Sequence, residues 1–190
     1  MMMTVTKSDK NISTKQLNLN KGDSMAIKTM SASMGGGSKF AEGWHECTIR
    51  KAEYGTYEKN DGTSKTFIDL WFEDYPDNHN LRVYEAHNKT TNEEFKLANV
   101  FKFSNAGIVG VLNDPTGKHP VIQYDDDCNN LVGKKINTFL FKETKTGNNY
   151  TRIFDDIAPI AQEGEHLSFT EEQVSGLKKG AEERCRKLHL

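Results

Sequence analysis

The chain has 190 residues, of which 35% are hydrophobic and 27% charged, with a formal net charge of −2. That length suits one domain plus tails, and a balance so close to neutral excludes a globally basic nucleic-acid binder. Cys47, Cys128 and Cys185 are too far apart for a disulfide framework or a zinc knuckle, and no apolar run approaches the roughly 20 residues of a membrane-spanning helix.

Residues 1–39 differ from the rest of the chain. They are rich in Lys, Ser, Thr, Asn and Gly, lack aromatic residues, and end in the linker-like Met34-Gly35-Gly36-Gly37-Ser38. They read as a disordered arm of mildly basic charge. All methionines fall here (Met1, Met2, Met3, Met25, Met30 and Met34), and Met25 is expected to be the functional start. With no signal-peptide core in view and the thiols free, a cytoplasmic protein is expected.

A first strand is predicted over 44–57, with Gly55 marking a bend. Asn60-Asp61-Gly62 turns the chain into a second strand over 66–75. This strand alternates most clearly, with Ile68, Leu70 and Phe72 on one face and Phe67, Asp69, Trp71 and Glu73 on the other. Pro76-Asp77-Asn78 makes the next turn, and a third strand over 80–86 sets Leu81 and Val83 against Arg82 and Tyr84. Over 93–112 the period becomes helical through Leu97, Phe101, Ser104, Ile108 and Val111, with Gly107 and Gly110 as breaks. A turn at Asp114-Pro115-Thr116-Gly117 and a polar loop over 123–130 come next. Strands four and five are predicted over 134–143 and 149–157, joined at Thr146-Gly147-Asn148. Thr170 and Gln173 form a capping box, with Phe169 and Val174 as a hydrophobic staple. They open a C-terminal helix whose apolar stripe is Val174, Leu177, Ala181 and Leu188.

Three strands, a helix and two strands is the plan of an OB-fold, a five-stranded barrel that binds oligonucleotides. The expected fold is mainly β, with the helix between strands three and four and a second helix at the C-terminus. The domain limits are 1–39 for the arm, 40–160 for the barrel and 161–190 for the helical tail. If the aliphatic face of strands two and three fills the barrel, then Phe67, Trp71, Arg82 and Tyr84 point outward. Bases stack on exposed rings for roughly 1–3 kcal/mol each, whatever the base. Strand one adds Lys51, Tyr54 and Tyr57, beside Arg50 and Lys59. Lys134, Lys135, Lys142, Lys145 and Arg152, with Tyr150, supply a basic rim around the turn between strands four and five. Asp125-Asp126-Asp127 and the set Asp69, Glu73 and Asp74 are the only hints of a metal-dependent nuclease. A run of three Asp in a polar loop is more often solvated, and the six histidines lack ligand spacing. No catalytic residue, metal or cofactor is expected.

The chain resembles single-stranded DNA-binding proteins of tailed phages over about 39–170. The residues that carry the resemblance are Gly43-Trp44-His45-Glu46, Lys51-Ala52-Glu53-Tyr54-Gly55-Thr56-Tyr57, and Phe67-Ile68-Asp69-Leu70-Trp71-Phe72-Glu73-Asp74-Tyr75. Leu131-Val132-Gly133-Lys134 and Tyr150-Thr151-Arg152-Ile153 extend it. The resemblance implies a protein that coats single-stranded DNA during replication and recombination in the host cytoplasm, alongside replication or recombination proteins. It departs at the C-terminus. Arg184-Cys185-Arg186-Lys187-Leu188-His189-Leu190 is basic and apolar, where many such proteins carry an acidic recruiting tip. The alternative is an OB-type protein-interaction module of a replication or assembly complex without DNA affinity of its own, its C-terminal helix docking on another subunit or a second copy.

Overall fold

The computed structural model describes residues 41–112 and 120–189. The predicted arm over 1–39, the Met25 start and the turn at Asp114-Pro115-Thr116-Gly117 lie outside the described residues. Alternating and β-branched segments give β1 (Gly43–Glu58), β2 (Ser64–Phe72) and β3 (Leu81–Tyr84). Helix α1 (Lys96–Ser104) is followed by a hairpin of β4 (Ile108–Leu112) and β5 (Val121–Tyr124) and a 3-10 turn, Cys128–Leu131. Strands β6 (Lys135–Lys145) and β7 (Asn148–Ala158) and helix α2 (Glu171–His189) complete the described residues.

The main sheet runs β3-β2-β1-β6-β7, and all its pairings are antiparallel. β1 holds it together because 16 residues are enough for two partners. Its first part, from Gly43 to Thr48, pairs with β6, and its remainder pairs with β2. The register slips between Ile49 and Lys51, so Arg50 is an extra residue, a β-bulge. The bend expected at Gly55 therefore falls at Arg50, and pairing runs unbroken through Gly55 to Phe67.

The five strands of the expected barrel form one sheet, but it does not close. β3 and β7 are the outer strands of an open sheet, and β4 and β5 form a separate two-stranded sheet. Helix α1 stands at the gap. Its Lys96 ammonium pairs with Asp155 and, at 3.6 Å, with Asp156 of β7. A cleft of about 540 Å³ remains there, lined by Val83 of β3, Phe103 of α1, Phe154 of β7 and Leu177 of α2.

The helix predicted over 93–112 also needs correction. α1 begins where the Glu94 carboxylate accepts the backbone N–H groups of Lys96, Leu97 and Ala98. It ends at Asn105 in the left-handed conformation, φ 51°. Gly107, at φ +63°, then lies so close to the next segment that a Cβ would sit 2.3 Å from the Asp125 carbonyl. Leu97, Phe101 and Ser104 are buried as the helical period predicts, but Ile108 and Val111 belong to β4. The polar loop expected over 123–130 shrinks as well: Gln123 and Tyr124 end β5, and Cys128–Leu131 is the 3-10 turn. Asp125 accepts the N–H of Asp127, and Asp127 caps the turn through the N–H of Asn129, so two of the three carboxylates serve the backbone.

The main core lies under the inner face of the sheet. Ile49, Ile68, Leu70, Phe72, Val100, Phe101, Leu131, Ile136 and Leu140 are fully buried, each side chain contributing about 1.5–3 kcal/mol of burial. A second, smaller core forms on the outer face, where Phe141, Phe154, Ala181 and Cys185 pack with Trp44 and Phe139 beneath α2. The capping box closes that helix: Thr170 Oγ1 accepts from the Gln173 N–H at 3.3 Å and Gln173 Oε1 from the Thr170 N–H at 2.9 Å. Its buried stripe is Val174, Ala181 and Cys185, whereas the predicted Leu177 and Leu188 are exposed. No helix among the described residues is long and apolar enough to cross a membrane.

Candidate nucleic-acid interface

The bulge at Arg50 decides which side chains meet. Directly opposed residues of antiparallel strands share a face, and one extra residue reverses the faces beyond it. Before the bulge, Ile49 faces the core opposite Phe72. After it, Lys51 lies opposite Trp71 on the outer face. The outer face of β1–β2–β3 therefore carries cross-strand rows. They are Lys51 with Trp71, Glu53 with Asp69 and Arg82, Gly55 with Phe67 and Tyr84, and Tyr57 with Lys65.

Ring and cation geometry is set by these rows. Lys51 Nζ lies 4.6 Å from the Trp71 ring centre and pairs with Glu53 at 2.8 Å. Trp71 Nε1 donates to the Asp77 carbonyl at 3.2 Å, which fixes the indole in its plane. Arg82 donates twice to Asp69, at 2.8 and 2.7 Å, and its Cζ stands 3.8 Å from the centre of the Phe67 ring. The Phe67 ring is seated across Gly55, where a Cβ would lie 2.3 Å from its tip. Tyr84 meets Phe67 edge-on at 5.7 Å and Tyr57 at 6.5 Å. Phe67 is buried by this packing, Trp71 and Tyr84 are half-buried, and Tyr57 is 49% exposed.

The other predicted residues lie elsewhere. Tyr54 lies on the other face of the sheet, opposite the buried Ile68, and is still 43% exposed. Burial, and then the nearby Asp126 carboxylate, push its phenol upward. Lys134 and Lys135 stand exposed at the start of β6, Lys135 held by Glu46 at 2.7 Å. Lys142, Lys145, Tyr150 and Arg152 sit around the β6–β7 turn. Because Gly43 pairs with Leu140, that turn extends past the opposite end of β1 from the aromatic rows. Gly43 and Gly55 are separated by about 40 Å of strand contour at ~3.3 Å per residue. Whereas Lys134 and Lys135 lie next to β1 at Thr48 and Ile49, the part of the expected basic rim at the β6–β7 turn is therefore not beside the rings. Its charges are also partly met: Lys145 and Arg152 share Glu143 at 2.9 and 3.3 Å, and Lys142 meets Glu42 at 3.8 Å. Lys145 in turn holds the Glu143 carboxyl below the ordinary range.

Two participants escaped the residue-type reading. Gly55 is a seat for a ring, and Asp69 is the clamp on Arg82; both emerge only from the register. The helix that could have covered the rings covers the other half of the outer face instead. There Trp44 Nε1 donates to Glu182 of α2 at 2.7 Å and Arg184 pairs with Asp156 at 2.5 Å. The rings of β1–β2–β3 and the charged side chains between them form a polar-aromatic face that α2 leaves uncovered. Compared with known proteins, the chain matches no family model and no curated protein.

Proposed function

We propose that this chain is a binding module, not an enzyme, that takes unpaired nucleic-acid bases on the outer face of β1–β2–β3. Single-stranded DNA, bound without sequence preference, is the ligand the reading favours, with a coating role in replication or recombination in the cytoplasm. The observation that carries it is the row of rings Trp71, Tyr84 and Tyr57, interleaved with Lys51 and with Arg82 laid over the buried Phe67, on the part of the sheet that α2 leaves uncovered. The strand adjacency β3-β2-β1-β6-β7, with a helix after the third strand, supports an OB-type barrel carrying an inserted hairpin and an open seam. The rings need only three adjacent, hydrogen-bonded strands, so the open seam does not remove the site.

Carboxylates partner many of the basic residues, so stacking is assigned more of the affinity than charge. The test is titration of the full chain against oligothymidylate across a salt series. Trp71→Ala and Tyr84→Ala are each expected to weaken binding about 5- to 150-fold, the equivalent of one stacked base, with the melting transition retained. Unchanged affinity in both variants would contradict the proposal. The protein-interaction reading is favoured by one observation: the β4–β5 hairpin exposes Val109, Val111, Leu112 and Val121. It predicts no measurable affinity for the oligomer at moderate salt.

A further inference from the structure

Within that base-binding reading, on which this inference rests, we infer that the Arg82 guanidinium is itself a stacking platform for a base, and not a phosphate ligand. Three contacts fix it. Phe67 lies against one side, with Arg82 Cζ 3.8 Å from the ring centre. Asp69 takes Nε and one terminal nitrogen in a two-point grip at 2.8 and 2.7 Å. Gly55 supports the ring from below, because any side chain there would displace it.

The layers are thus backbone, ring and guanidinium. Phe67 is only 8% exposed, so the ring itself has little surface to offer. The Arg82 side chain is 42% exposed, whereas that of Asp69 is 10% exposed. The contact at 3.8 Å and the exposed side chain assign the outer layer of the stack to the guanidinium. A guanidinium is planar, delocalised and weakly hydrated, and stacks readily on flat π systems. Its charge is matched by Asp69, which lowers its pull on a phosphate even though three of its five N–H donors are not used in that grip. It keeps a flat face of fixed orientation, which any base can cover. The row beside it repeats the device less strictly, since Lys51 lies over Trp71 but has no planar face of its own. The inferred ligand feature is the base, with the backbone charge contributing little at this position.

The experiment compares the full chain and its Arg82→Lys and Arg82→Gln variants on two probes of equal length, oligothymidylate and an abasic phosphodiester oligomer, over a salt series. The wild type is expected to prefer the base-bearing strand. Both variants should lose about tenfold on oligothymidylate, little on the abasic strand, and leave the salt slope unchanged. Asp69→Asn should steepen the slope toward one additional phosphate contact, about 0.7, because it frees the guanidinium. Circular dichroism of each variant establishes that it is folded. A wild-type affinity for oligothymidylate with R82K unaffected, or with R82Q flattening the slope by about 0.7 and weakening both probes equally, overturns the platform and leaves the base-binding reading standing. A wild type that binds neither probe overturns both.

Discussion

The two halves of the outer sheet face are built from similar residues and end in different states. On β6, β7 and the first part of β1, Trp44, Phe139, Phe141 and Phe154 are roofed by α2. On β2, β3 and the rest of β1, no helix among the described residues lies over Phe67, Trp71, Tyr84 and Tyr57. Each half even places a lysine over its tryptophan: Lys178 of α2 lies 5.4 Å from the Trp44 ring, and Lys51 of the sheet 4.6 Å from that of Trp71. Ring content therefore does not separate a core from a binding surface. The difference lies in what surrounds the rings. The roofed half meets Ala181 and Cys185, small residues that let a helix approach. The open half carries Lys51, Glu53, Asp69 and Arg82, whose desolvation under an apolar cover would be costly, and tyrosines that keep a polar end in water.

That contrast can be broken most forcefully from the roofed side. Phe141→Ala empties the second core and is expected to cost about 3–5 kcal/mol of stability, read by urea denaturation, with the affinity of the folded fraction for single strands unchanged. A loss of affinity in that fraction would mean the two halves are not independent. Gly55→Val acts on the open side. Its side chain would collide with the Phe67 ring, at an expected cost of about 1–3 kcal/mol, and it should weaken binding as well because the Phe67–Arg82 stack moves. The smallest effect is expected from the double change Lys142→Ala and Lys145→Ala at the β6–β7 turn. Those residues lie past the far end of β1, so the salt slope should fall by much less than the ~1.4 of two phosphate contacts. A full drop would place the turn in the site.

Much of this contrast was legible in the chain, and the missing part has a physical reason. The five strands of the main sheet followed from alternation and turn residues, and the inward set Ile68, Leu70 and Phe72 followed with them. Thr170 and Gln173 announced the start of α2. The face on which β1 presents its side chains was not legible, because a single extra residue at Arg50 inverts the parity. Lys51 and Tyr57 consequently join the open face while Tyr54 falls on the opposite one. The run Ile108-Val109-Gly110-Val111-Leu112 continued the helical phase of α1 by coincidence, and short apolar runs fit a helix or a strand equally well. The α2 stripe holds at Val174 and Ala181 but not at Leu177 and Leu188, because which turns of a helix touch the sheet depends on the partner surface: Cys185 is buried and Leu188 is 70% exposed.

The most direct measurement uses the tryptophans as reporters, one on each half. Trp44→Phe leaves Trp71 as the sole indole, and Trp71→Phe leaves Trp44. Titrated with oligothymidylate, the Trp44→Phe protein should lose fluorescence as bases approach Trp71, and the Trp71→Phe protein should stay bright beneath its helix. Quenching confined to Trp44, or absent from both proteins at saturating oligomer, would contradict the assignment of the open half as the surface that receives bases.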